Sequence, residues 1–231
     1  MRLVTFPEYK IYPDGATVAE QACQRILTAA EHAIAERGAF RIVLAGGTTP
    51  EASYRALAES KSDWAHWHVY IGDERCLPVD DAERNSVMAA RSLTSHVAIP
   101  DEQVYLIPAE QGAEVAAQAY ASIVDAALPF DMVLLGMGED GHTASLFPGH
   151  EHNENETTHA VHNAPKPPSD RVSLSAAALA NTRELLMLIT GAGKQEPLAR
   201  WQAGEVLPIA TINAENTLVM LDEAAWPKGN E

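Results

Sequence analysis

Cysteine is scarce: only Cys23 and Cys76 occur in 231 residues. Two cysteines in no metal-ligand spacing exclude a disulfide framework and a cysteine-rich metal site, and both are expected as free thiols, Cys23 in a helix and Cys76 in a loop. Lysine is scarcer than acid, with five lysines in a chain whose 16 Lys and Arg face 32 Asp and Glu, a net charge of −16. Such a field repels nucleic-acid backbones and anionic membranes, so neither is expected as a partner, although a local cluster of cations and amides can still capture a small anion. No apolar run is long enough to cross a bilayer, and the opening MRLVTFPEYKIYPDG has no apolar signal core, which predicts a cytoplasmic protein. Internal repeats and linker-like composition shifts are absent too, and nothing points to an obligate protein partner. What is present, 46% hydrophobic residues, can bury a sizeable core, and residues 1–231 are read as a single domain.

Helical and strand patterns alternate along the chain. Val18, Ala22, Ile26, Ala29 and Ala33 predict a helix over 16–37, ended by Gly38, and a strand over 41–45 follows. In GGTTP, Thr49 is the expected N-cap and Pro50 the first residue of a helix running over 51–59. Strands are predicted over 68–71, 130–135, 172–174 and 185–190, and helices over 85–95, 113–127 and 195–202. This alternation implies an α/β protein with a mostly parallel sheet and helices on both faces. Four loops of unusual composition, GGTTP, GDER, GEDGH and GAGK, each come directly after a predicted strand and are expected to converge on one rim of the sheet, where such folds bind ligands.

The most informative stretch is GMGEDGHTASLFPG, residues 136–149. Gly136, Gly138 and Gly141 satisfy the GxGxxG spacing of a dinucleotide turn, but Pro148 and Gly149 stop any following helix, and the polar, histidine-rich segment after it offers no adjacent ribose-binding strand. The same glycines let Asp140 turn toward His142, two positions on, making His142 a candidate general base and Asp140 its orienting partner. The bland alternative has Asp140 capping and His142 packing. Gly46, Gly47, Thr48 and Thr49 present amides and hydroxyls at a helix N-terminus, which suits a phosphate and equally suits an ordinary strand-to-helix turn. Lys194 in GAGK shifts that balance, since a cation at the start of a helix is electrostatically misplaced unless an anion binds there. GAGK lacks the spacing and the following Ser or Thr of a nucleoside-triphosphate loop. In GDER, Arg75 is suited to a phosphate or carboxylate and Asp73 to sugar hydroxyls or to orienting a cation, with a surface salt bridge as the alternative. His150, His152, His159 and His162 follow no metal-ligand spacing and are expected in a solvated loop; no metal or cofactor is expected.

The ordered set GGTTP, GDERCLP, GMGEDGHTASLFPG, NAPKPPSDRVSLS and ITGAGK, spanning residues 40–200, resembles the 6-phosphogluconolactonase family, which belongs to a larger group that includes glucosamine-6-phosphate deaminase. The resemblance implies a Rossmann-like α/β domain and hydrolysis of a small sugar-phosphate lactone, 6-phosphogluconolactone, in the pentose phosphate pathway. Carried over by position, it makes His142 the base that activates water and Asp140 its partner. GGTTP, Arg75 and Lys194 would form the phosphate and substrate cradle, with Arg171 reaching the same pocket. Thr48 stands where many relatives have Ser or Arg, and SLS follows Arg171 in place of the commoner TLT. A lactone is an activated ester, so a base and oxyanion donors suffice, and no GxSxG elbow is present to supply a serine nucleophile. Deaminase-like relatives carry a carboxylate shortly after the histidine; TASLF, residues 143–147, has none. A catalytically silent sugar-phosphate sensor remains a third reading.

Overall fold

A computed structural model describes residues 7–151, 153 and 155–227. In chain order these form β1 (Glu8–Tyr12), α1 (Gly15–Arg37), β2 (Phe40–Leu44), α2 (Thr48–Ala58), β3 (Trp67–Ile71), β4 (Asp73–Arg75), α3 (Asn85–Ala89), β5 (Val104–Tyr105), α4 (Ala113–Ala127), β6 (Phe130–Gly136), β7 (Thr158–Val161), β8 (Arg171–Leu174), α5 (Ala176–Ala180), β9 (Thr182–Ile189), α6 (Gln195–Gln202), α7 (Pro208–Thr211) and β10 (Thr217–Asp222). Seven strands make one parallel sheet in the order β1-β10-β9-β6-β2-β3-β5. Its middle strands are buried on both faces, which is why β6 and β9 read as nearly continuous apolar runs rather than as alternating ones. Helix α1 packs against α2 and against β2, β6 and β10. The expected α/β class, with its mostly parallel sheet, is the observed one.

The second sheet is small and antiparallel, in the order β4-β8-β7. Gly72 joins the two sheets: its N–H bonds Leu44 O in the parallel layer at 3.0 Å, and its carbonyl accepts from Leu174 N at 2.9 Å. Helix α4 covers β7 and β8.

Several local expectations are corrected. Thr49 is not the N-cap of α2; Gly47 occupies that position and Thr48 is the first helical residue, so Pro50 comes third. The reason is that Thr49 Oγ1 is engaged across the site, 2.5 Å from Thr190 Oγ1, and does not turn back onto its own helix. The helix predicted over 85–95 divides into α3 and a π-helical turn, Ala90–Thr94. The histidine-rich stretch is not one solvated loop: it contains β7, and His159 is buried on it. Because β7 runs antiparallel in the second sheet, it does not supply the parallel strand that a dinucleotide unit needs. His152 lies outside the described residues.

Candidate active site

All four unusual loops follow parallel strands, after β2, β3, β6 and β9, and all four line one cavity of about 430 Å³. Two buried tyrosines fix where the first two loops leave the sheet. Tyr54 on α2 bonds both the N–H and the carbonyl of Ala45 at 2.9 Å, at the end of β2. Tyr120 on α4 accepts from Ile71 N at 3.0 Å, at the end of β3, and donates to Tyr105 O at 3.1 Å. Burial raises both phenols above their usual range, so both remain neutral hydrogen-bonding groups. The cavity wall contains Gly46, Gly47, Thr48, Thr49, Asp73, Arg75, His142, Arg171 and Lys194. Asp140 stands behind His142.

The 136–149 segment folds as consecutive turns with an isolated bridge between Thr143 and Leu146. Asp140 Oδ1 accepts from the His142 backbone N–H at 3.1 Å and from ring Nδ1 at 2.5 Å. Burial draws the Asp140 carboxyl upward, but these two donors outweigh it and hold the group below the usual carboxylate range. An ionised Asp140 keeps the ring proton on Nδ1 and leaves Nε2 with its lone pair, the tautomer required of a base. The ring is 22% exposed and packs at 4.7 Å, tilted, on Phe147. Gly138 is required by this arrangement, because a Cβ there would lie 2.0 Å from His142 Nδ1.

The start of α2 and the turn after β9 line the same cavity. Helix α2 begins without a side-chain cap, so the amides of its first turn are not satisfied by a capping group. Lys194 lies in the turn after β9, where Gly191 N donates to both oxygens of Asp222 at 3.0 and 3.2 Å and pins the loop. Burial lowers the Lys194 ammonium below the ordinary lysine value, with Glu139 pulling the other way.

The antiparallel sheet contributes Asp73, Arg75 and Arg171, aligned by the pairings Asp73 with Ser173 and Arg75 with Arg171. Ser145 donates to Asp73 Oδ2 at 2.6 Å and Asn85 Nδ2 to Oδ1 at 3.0 Å, and burial pushes this carboxyl above its usual range. Arg75 Nη1 donates to Glu83 O at 2.5 Å. Arg171 donates from Nη2 to Lys166 O at 2.8 Å and from Nε to Pro168 O at 3.2 Å, while lying over the Phe147 ring. Its visible task is therefore to hold residues 166–168, and it reaches the cavity from that position.

Other residues at the site escaped the sequence reading. Asn85 lines the cavity and packs so closely on Gly46 that a Cβ there would sit 2.3 Å from its Oδ1. Fully buried Glu74 accepts from the backbone N–H groups of Arg75, Asn85 and Ser86 at 2.8 to 2.9 Å and pairs with buried Arg84 at 3.4 Å. Its neighbours in GDER were the only signal, and its side chain works on the opposite side of the strand from Asp73. Lys166, Glu139 and Thr190 also line the cavity. His159 lies 3.3 Å from Glu156, while His162 bridges Glu114 at 3.0 Å and Asp170 at 2.9 Å. Cys23 is buried and Cys76 half-buried, with burial pushing the Cys76 thiol up to about 11, so neither is poised as a thiolate nucleophile.

A family model described as glucosamine-6-phosphate isomerases/6-phosphogluconolactonase matches residues 13–221. The chain is 37% identical to the 6-phosphogluconolactonase of Mycobacterium tuberculosis, covering 95% of this chain and 97% of that one. It is 36% identical to the 6-phosphogluconolactonase of Streptomyces coelicolor, covering 95% and 93%. Among solved structures, the 6-phosphogluconolactonase of Thermotoga maritima superposes with a TM-score of 0.87 at 29% identity, covering 94% of this chain and 99% of that one.

Proposed function

Because the chain belongs to the glucosamine-6-phosphate isomerase/6-phosphogluconolactonase family, we propose that it hydrolyses 6-phospho-D-glucono-1,5-lactone to 6-phospho-D-gluconate in the oxidative pentose phosphate pathway. The observation that carries the site assignment is the imidazole of His142, pinned through Nδ1 to Asp140 in the same cavity as the uncapped start of α2 and Lys194. In this reading the phosphate lies against the amides of Gly47, Thr48 and Thr49 and the Lys194 ammonium, which leaves the lactone ring toward His142. His142 Nε2 removes a proton from water as the water oxygen adds to the lactone carbonyl, and Asp140 stabilises the imidazolium that forms. Arg75 and neighbouring N–H groups offset the oxyanion charge. The carbon–oxygen bond to the ring oxygen then breaks, that oxygen takes the proton back from His142, and the new carboxylic acid ionises.

The amino-sugar-phosphate deaminase reading is disfavoured by residues 143–147. Thr143 donates to Gly136 O at 2.8 Å and Ser145 to Asp73, so the two polar side chains of that segment are structural, and no carboxylate lies there to move protons between neighbouring carbons. A cytoplasmic setting, one domain, and a small-molecule substrate without nucleic acid, membrane or obligate protein partner complete the proposal. Among the described residues no helix is long and apolar enough to cross a membrane.

The test follows acid release from freshly generated 6-phosphogluconolactone near neutral pH, corrected for spontaneous opening. Wild type accelerates release, His142→Ala loses roughly 10²- to 10⁴-fold in kcat, and Lys194→Ala chiefly raises KM. Full turnover by His142→Ala removes the base assignment, and an unchanged KM removes Lys194 from the cradle.

A further inference from the structure

We infer that Leu207 is a positioning residue for His142: the turn between α6 and α7 holds the peptide unit that joins Gly141 to His142, through Leu207 packed on Gly141 and the Ile209 N–H bonded to the Gly141 carbonyl. This deepens the lactonase reading and rests on its assignment of His142 as the base. Ile209 N donates to Gly141 O at 3.2 Å, while the His142 N–H donates to Asp140 Oδ1 at 3.1 Å. The Gly141 carbonyl and the His142 N–H are the two ends of one planar unit. That plane is therefore gripped by α7 at its oxygen and by Asp140 at its N–H. The same Asp140 oxygen accepts ring Nδ1, so a rotation of the plane shifts the support of the imidazole as well. Bonds from Gly141 N to Gly138 O at 3.1 Å and from Gly138 N to His142 O at 2.8 Å stay within residues 138–142. They set the shape of the turn, whereas the contact from α7 sets where it sits.

Gly141 has φ +85°, and a Cβ there would stand 2.7 Å from Leu207 Cδ1 and 3.1 Å from Leu207 Cβ, so the leucine fills the space directly against the turn. The direction of that side chain is fixed by its neighbours. Pro208 opens α7 and keeps Leu207 extended, at φ −85° and ψ 155°. Upstream, Glu205 N donates to Arg200 O at 3.0 Å, and Arg200 grips the Glu205 carboxylate through Nε at 2.8 Å and Nη2 at 2.5 Å. Val206 is 80% exposed and Leu207 only 2%, so the leucine is the side chain that this connection drives inward. Truncating it opens a cavity beside Gly141 into which the turn relaxes, and small displacements of a reacting group are expensive in rate.

The experiment measures kcat and KM for 6-phosphogluconolactone, below the unfolding temperature of every variant, with wild type, Leu207→Ala, Leu207→Met and Leu179→Ala. Leu179 is a buried leucine on α5, outside the cavity wall. Leu207→Ala should lower kcat about 10- to 100-fold with KM changed by less than about twofold, and Leu207→Met should recover kcat to within about threefold of wild type. Leu179→Ala should lose stability and keep kcat. An unchanged kcat in Leu207→Ala, a rise in KM alone, or an equal loss of kcat in Leu179→Ala would each overturn the inference. Hydrogen exchange at the His142 amide reads the same peptide unit without turnover: it should quicken at least about tenfold in Leu207→Ala and not in Leu179→Ala, and an unchanged rate refutes the positioning role. Should wild type not accelerate lactone opening, the lactonase reading fails on its own and the exchange rates decide.

Discussion

Asp140→Asn separates charge from geometry at the candidate base. A single oxygen, Oδ1, accepts both the His142 backbone N–H and the ring Nδ1–H. An asparagine that kept its own Oδ1 in place would satisfy both donors, whereas the flipped amide would direct an NH₂ at a backbone N–H. The backbone contact therefore selects the unflipped amide, and the ring retains the tautomer with Nε2 free to accept a proton. What is lost is the charge opposite the imidazolium. Hydrogen bonds to charged partners contribute about 1.5–3 kcal/mol and neutral ones about 0.5–1.5, so the loss is about 1–1.5 kcal/mol, or about 5- to 12-fold in kcat. Since Asp140 is 44% exposed, solvent screening favours the lower end of that range. Corrected lactone-opening assays on wild type, Asp140→Asn and His142→Ala measure it. A wild-type kcat in Asp140→Asn would refute the charge argument, and a loss as large as that of His142→Ala would refute the claim that the backbone N–H protects the tautomer.

Two further outcomes follow from buried and bridging charges. Glu74→Ala leaves three backbone N–H groups without their acceptor and removes one of the two carboxylates beside Arg84, the other being Glu110; urea unfolding should show a loss of about 3–5 kcal/mol, and a change below about 1 kcal/mol would contradict the role given to Glu74. His162 is raised above the ordinary histidine value by its hydrogen bonds to Glu114 and Asp170. Its contribution is complete below that ordinary value and disappears as pH rises through the raised one, so the difference in Tm between wild type and His162→Ala should shrink from pH 5.5 to 8. A gap that widens with pH would reverse that sign.

The parallel layer was legible because its strands are buried on both faces and its loops carry glycine, threonine and charge in unusual density. The helix that periodicity marks out over 16–37 is α1, the helices expected over 113–127 and 195–202 are α4 and α6, and the four loops meet where strand-end logic places them. The antiparallel sheet was not legible to the same degree. Its strands have three or four residues, too few to display a period, and β7 carries a histidine at a buried position that composition alone assigns to solvent. Strands β1 and β10 escaped notice although TLVMLD is apolar, and β1 alternates weakly as an edge strand does. At the site, glycine and histidine announced themselves by type. Asn85 and Glu74 did not, because their importance comes from contacts made by the turn after β4, and Thr49 read as a cap because its cross-site partner, Thr190, is 141 positions away.

The pairing of β1 with β10 has a consequence for how the molecule is made. Residues 8–12 pair with residues 218–222, about 210 positions further along the chain. Strand β1 cannot pair until β10 has been made, and its closure is a contact of very high sequence separation, which slows folding. Strands β2, β3 and β6, which carry three of the four site loops, pair among themselves within residues 40–136. The ligand-facing half of the sheet can thus assemble on the nascent chain before the edge of the sheet is sealed.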